Sequence, residues 1–135
     1  REQRGLCYSV WSSERSYADA ALLHLGAGLE SAKCVEAYTR MREIVDELRS
    51  EGPREEEVER ARAYAGGRLV LGFENSGAVA RYAASSAIVY GDEMDSDAAI
   101  EAIDAVSFDE VDAVARSISE ELAVACVGPH ETGEF

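Results

Sequence analysis

The period of the apolar residues changes more than once along this chain, and those changes narrow the folds open to it. Glu2, Gln3 and Arg4 are good helix formers, and Gly5 is the residue that most cheaply takes the left-handed conformation ending a helix. Leu6, Tyr8 and Val10 then alternate with Cys7, Ser9 and Trp11, the two-residue repeat of a strand leaving a helix end. Ser12 to Ser16 reads as a polar turn. Residues 17–28, apolar at both parities around His24, read as a second strand buried on two faces or covered by helices. Together they predict an antiparallel hairpin.

From Ser31 onward the spacing becomes helical. Ser31 is placed to cap a helix to about Ser50, with Cys34, Tyr38, Met41, Val45 and Leu48 on one face, Val35 and Ile44 widening it, and Gly52-Pro53 as the stop. A second helix from about Arg54 carries Val58, Ala61, Ala65, Leu69 and Phe73, with Val70 and Leu71 broadening its later face. Gly66-Gly67 lies inside it, which predicts a kink or a close crossing. Asn75-Ser76-Gly77 offers a break and a new cap before an alanine-rich helix over 79–90 that Gly91 ends. Ser96 caps a short helix to Ala105. Ser107-Phe-Asp-Glu110 is a capping box for a further helix with Val111, Val114, Ala115 and Ile118 facing inward. Residues 122–127 read as a buried strand before Gly128-Pro129. The expected class is α+β, an antiparallel or mixed sheet with helices on one face, in the order strand, strand, four helices, strand. The expected division is one domain over 1–129 and a polar tail over 130–135. Open sheet edges invite pairing with another segment or with a second copy as a homodimer.

The charge excludes some partners. A net charge of −14 repels phosphate backbones and anionic headgroups, so neither nucleic acid nor a membrane surface is an expected partner. The acidity reads mainly as a solubilising surface, and the carboxylates of residues 51–59 suit the positive end of a helix. No run approaches the roughly 18 apolar residues of a membrane span. Cys7, Cys34 and Cys126 are far apart, form no C-x-x-C pair and fall on apolar periodic positions. They read as small buried hydrophobes in a reducing compartment, which points to a cytoplasmic location. His24 reads as a hydrogen-bonded strand histidine. The acidic loop over 92–95 lacks the glycine and final glutamate of a calcium loop. Gly66-Gly67 has neither the preceding strand nor the Gly-Lys-Ser/Thr ending of a phosphate loop.

Arg1 and Tyr8 flank the turn at Gly5, an always-charged guanidinium and a phenolic hydroxyl able to converge on one point. This opening, Arg1-Glu-Gln-Arg-Gly-Leu-Cys-Tyr8 followed by Ser9-Val10, resembles a motif of the pitrilysin or insulinase family of zinc peptidases, which includes the mitochondrial processing peptidases. Ser16-Tyr-Ala-Asp-Ala20, the Glu51-Gly52-Pro53 turn with the helix start at Glu55, residues 102–107 and residues 122–129 are similar to later pieces of the same family, in order.

The resemblance implies a C-terminal, non-zinc, substrate-binding domain. It implies that Arg1 and Tyr8 face a metal across a chamber and hydrogen-bond the carbonyl of a peptide substrate, and that zinc belongs to an N-terminal half or a partner subunit. The family's H-x-x-E-H motif needs two histidines one helical turn apart. His24 and His130 are the chain's two histidines, so no zinc-binding cofactor site of that kind is expected in this chain, which alone should be inactive. Starting at Arg1 in what reads as the last turn of a helix, the chain is expected to follow an upstream segment. Three readings compete: the substrate-binding part of a zinc peptidase, a non-catalytic scaffold or interaction subunit of the same family, and an unrelated small enzyme using Cys7 or Tyr8.

Overall fold

The computed structural model describes residues 5–17, 19–91, 93–131 and 133. It contains strands β1 (Ser9–Ser16) and β2 (Ala21–Gly28), a 3-10 turn (Ser31–Lys33) and helices α1 (Cys34–Glu51), α2 (Glu55–Phe73), α3 (Ser76–Ser85), α4 (Ser96–Ala105) and α5 (Phe108–Arg116). The class is α+β, with strands before helices as expected. The described residues up to Glu51 together with those from Ile118 onward form one compact unit, and Gly52–Ser117 form another.

In the first unit β1 and β2 are antiparallel, with Trp11 opposite Gly26, Ser13 opposite His24 and Arg15 opposite Leu22. Alternation puts Val10, Ser12 and Glu14 on the other face with Ala27, Leu25 and Leu23. The Trp11 indole lies across Gly26, where an added Cβ would collide with the ring. Any side chain there would displace the tryptophan. The polar stretch from Ser12 to Ser16 is strand rather than turn, and the reversal lies later, where the Tyr17 N–H donates to the Ala20 carbonyl at 2.8 Å. Serine, glutamate and arginine are tolerated in β1 because all its residues are exposed.

Helix α1 buries Ala37 and Val45 and half-buries Cys34, Tyr38, Met41 and Leu48, the expected stripe. Val35 and Ile44 are exposed and do not widen it. The expected strand over 122–127 is exposed backbone without regular secondary structure and with no ladder partner among the described residues. A short apolar run makes a strand only where a neighbouring edge accepts its hydrogen bonds. Its anchors come from α1: the Arg42 guanidinium donates to the Glu120 carbonyl at 2.9 Å, and Arg49 pairs with the Glu120 carboxylate.

The second unit is helical. Gly52 has φ +81, the left-handed stop expected after α1, and a Cβ there would run into the Asp112 carboxylate. The Glu57 carboxylate closes the start of α2 by accepting from the Arg54 N–H at 3.2 Å and from its guanidinium at 2.7 Å. Helix α2 passes unbroken through Gly66-Gly67, and a Cβ at Gly67 would meet open space, so neither the expected interruption nor a glycine-requiring close approach is found there. A Cβ on Gly66 would lie 3.8 Å from the Asp104 carboxylate of α4. The inward face of α2 is accordingly Val58, Arg62, Gly66, Leu69 and Phe73, while Ala61, Ala65, Val70 and Leu71 are exposed. The Arg62 guanidinium donates to the Val106 carbonyl at 2.7 Å, and Phe73 meets Tyr82 of α3 edge to face at 5.4 Å.

Asn75 caps α3 by accepting from the Ala78 N–H at 3.0 Å, so this helix begins before residue 79. It continues through a π-helical turn (Ser86–Tyr90) to Gly91, whose φ is +74. Asp95, not Ser96, caps α4, accepting from the N–H groups of Asp97 at 2.9 Å and Ala98 at 3.0 Å. The capping box at Ser107 and Glu110 is present: the Glu110 N–H donates to Ser107 Oγ at 3.3 Å and the Ser107 N–H to Glu110 Oε2 at 2.8 Å. Helix α5 buries Ala115 and half-buries Val111, with Val114 exposed. Five α-helices are present among the described residues, matching the five segments read individually from the sequence and not the four of the expected order.

Candidate functional site

The residues that could touch a substrate lie where the hairpin begins. Gly5 takes φ +59, the left-handed conformation anticipated for it, and directs the chain toward β1. The Tyr8 N–H donates to the Gly28 carbonyl at 2.8 Å, extending the hairpin ladder one residue before β1. The phenol is thereby held by its backbone while its side chain stays 70% exposed. Its hydroxyl donates to Glu30 Oε1 at 3.1 Å, just before the 3-10 turn. Lys33 ties the same corner together, donating from Nζ to the Gly5 carbonyl at 3.1 Å and standing 3.9 Å from Glu30 Oε2. Gly5, Leu6, Cys7, Tyr8, Glu30 and Lys33 line a shallow recess here.

Glu30 raises the Tyr8 pKa above its ordinary value, first through the hydrogen bond it accepts and then through its negative charge. The hydroxyl therefore keeps its proton, and with it the capacity to donate, further into the alkaline range. Arg1, the other residue expected at this site, lies outside the described residues. Cys7 shares the recess, whose lining offers no histidine to serve as its base.

The catalytic zinc that the resemblance implies does not fit this chain. Its ligand set requires two histidines four residues apart, and the chain has only His24 and His130. His24 is exposed on β2, opposite Ser13. The structure does assemble one group of metal-donor atoms that spacing did not reveal: Cys34, Cys126 and His130, whose ligand atoms all lie within 4.8 Å of one another. The cysteines also correct the expectation of buried thiols, Cys7 and Cys34 being half-buried and Cys126 exposed. No local signal could have found this group, since Cys34 and Cys126 are 92 residues apart.

An α+β chain opening on a hairpin, with a donor-bearing recess and no metal-binding histidine pair, fits the non-zinc side of a metallopeptidase. Residues 1–64 match the family model described as the Peptidase M16 inactive domain. Over 96% of its length the chain is 32% identical to an uncharacterized zinc protease of Streptomyces coelicolor, covering 28% of that protein. It is 30% identical to an uncharacterized zinc protease of Mycobacterium tuberculosis and 26% identical to the uncharacterized zinc protease YmxG of Bacillus subtilis, covering 30% and 32% of them. These likenesses are consistent with the inactive, C-terminal domain of a pitrilysin-type M16 peptidase. It spans about three-tenths of the length of these relatives. Among the described residues no helix is long and apolar enough to cross a membrane.

Proposed function

We propose that this chain supplies the substrate-binding side of a zinc peptidase whose metal is held by an N-terminal half or a partner subunit. The observation that carries the reading is the exposed Tyr8 hydroxyl at the head of the hairpin, inside the segment that matches the family's inactive domain. The relatives named as zinc proteases support a metallopeptidase parent.

Amide hydrolysis moves negative charge onto the carbonyl oxygen, and fixed donors aimed at that oxygen stabilise the transition state more than the ground state. Tyr8 fits that role. Its backbone is pinned to Gly28, its proton is retained, and Glu30 holds the hydroxyl until a carbonyl oxygen takes its place. Lys33 offsets the charge that Glu30 would otherwise present to the developing oxyanion. Arg1 is the second donor in this reading, a guanidinium that stays charged at any working pH. Zinc in the parent would supply the activated water; this chain's residues bind and orient the peptide. The expected setting is the cytoplasm, a reducing compartment in keeping with Cys7, Cys34 and Cys126, which form no C-x-x-C pair.

The test is Tyr8→Phe in the complete assembly. Loss of one oxyanion donor lowers kcat by about 10²–10³-fold. Unchanged peptide turnover overturns the reading.

A second reading, a non-catalytic scaffold subunit of the same family, is favoured by the hairpin's exposed apolar side chains: Val10 and Leu23 on one face, Trp11 and Leu22 on the other. Such surface suits an interface. An upstream half lacking H-x-x-E-H would select this second reading, whereas homodimers of the isolated chain in sedimentation would assign the hairpin to self-association.

A further inference from the structure

We propose that Cys34, Cys126 and His130 form a binding site for a thiophilic divalent cation of the zinc type, separate from any catalytic zinc of the parent. Cys34 opens α1 directly after the 3-10 turn, its backbone fixed by its N–H donating to the Ser31 carbonyl. Cys126 lies in the segment that is anchored to α1 through Arg42 and Arg49 at Glu120. Its Sγ is 3.5 Å from that of Cys34. Two sulfurs bound to one tetrahedral zinc at about 2.3 Å stand roughly 3.8 Å apart, whereas a disulfide would need about 2.05 Å. The observed separation is close to the first value.

His130 completes the set through a tight local fold. Its N–H donates to the Gly128 carbonyl at 2.9 Å, which turns the chain back on itself. The imidazole then lies over Gly128, where an added Cβ would come within 2.9 Å of both Cδ2 and Nε2 and 3.9 Å of Ser31 Oγ. Only glycine leaves the ring that close to the start of α1. Two thiols and an imidazole are soft and borderline donors that select zinc over magnesium or calcium. Bound as thiolates they neutralise a divalent cation, and three protein ligands leave a fourth position for water or an additional group. The ligands come from both ends of the unit, so the ion would fasten the C-terminal segment to α1.

The whole 135-residue chain is the right object for the test, because it lacks the histidine pair of the catalytic site and any bound metal must lie elsewhere. The reduced, chelator-stripped chain is titrated with cobalt(II) and then zinc under a phosphine reductant. The expected result is one equivalent of cobalt with a thiolate-to-metal charge-transfer band, displaced by zinc. Cys34→Ser and Cys126→Ser should each weaken binding at least ~10-fold, as should His130→Gln, while Cys7→Ser leaves it unchanged. In the unsubstituted chain zinc should also slow alkylation of Cys34 and Cys126 but not of Cys7, a readout independent of how any variant folds. Absence of the charge-transfer band, or alkylation unaffected by zinc, overturns the site; so does a band that survives both serine substitutions.

Discussion

The hairpin unit and the helical unit are held by different means. In Gly52–Ser117 many of the stabilising features are local: Glu57 on Arg54, Asn75 on Ala78, Asp95 on Asp97 and Ala98, Ser107 with Glu110. Its helices also meet one another, Arg62 of α2 donating to the Val106 carbonyl and Phe73 packing against Tyr82. The hairpin unit depends instead on contacts between residues far apart in the chain, Lys33 with Gly5, Arg42 with Glu120, Cys34 with Cys126, and it leaves apolar side chains uncovered on both hairpin faces. A unit built from local signals is expected to form by itself; one with open apolar faces is shaped for something that covers it. The proposed function belongs to the second.

The sharpest way to break this division of labour is Tyr8→Phe in the assembled peptidase, expected to lower kcat by about 10²–10³-fold with little change in thermal stability. The side chain is exposed and its loss opens no cavity. In the helical unit Gly52→Ala should give the largest stability loss, on the order of 1–2 kcal/mol for a non-glycine residue at φ +81, with the Asp112 collision adding to it. Urea unfolding followed by circular dichroism would measure it. Ser107→Ala should cost about 1 kcal/mol by removing the hydroxyl that caps α5, read in the same way.

The smallest effect concerns pH. Hydrogen bonds from Arg54, first from its guanidinium and then from its backbone, lower the Glu57 pKa to about 2. A depressed carboxylate pKa adds stability that is fully present above the unfolded-state value near 4.5 and is lost as pH falls toward 2. Glu57→Gln should therefore be less stable than the parent chain at pH 6 and indistinguishable from it near pH 2. A constant difference between the two across that range would assign the effect to packing rather than charge. Glu30→Gln makes a companion measurement in the other unit: removing the charge should bring the Tyr8 pKa back toward 10, followed by NMR titration of the phenol.

Much of the helical unit was legible from short-range chemistry. The glycine stops at Gly52 and Gly91, the cap at Asn75 and the box at Ser107 and Glu110 each involve residues within a few positions of one another, so their energetics are written in adjacent letters. Asp95 displaced Ser96 as a cap by one residue because either side chain satisfies the same free N–H groups. Periodicity was less reliable for which face turns inward. Ala61 and Ala65 were expected on the buried face of α2, yet both are exposed while Arg62 and Gly66 are half-buried, a rotation of the face that the apolar spacing alone did not specify. Residues 122–127 failed as a strand for a related reason, an apolar run being unable to specify its own pairing partner.

The sequence by itself settled the class, the order of strands before helices, several helix ends and the family likeness, because strand and helix periods, caps and a short motif depend on neighbours along the chain. Tertiary structure alone decided that Tyr8 reaches Glu30 and that Cys34 and Cys126, 92 residues apart, bring their sulfurs together beside His130. Distance along the backbone carries no record of distance through space until side chains from separate segments compete for the same volume.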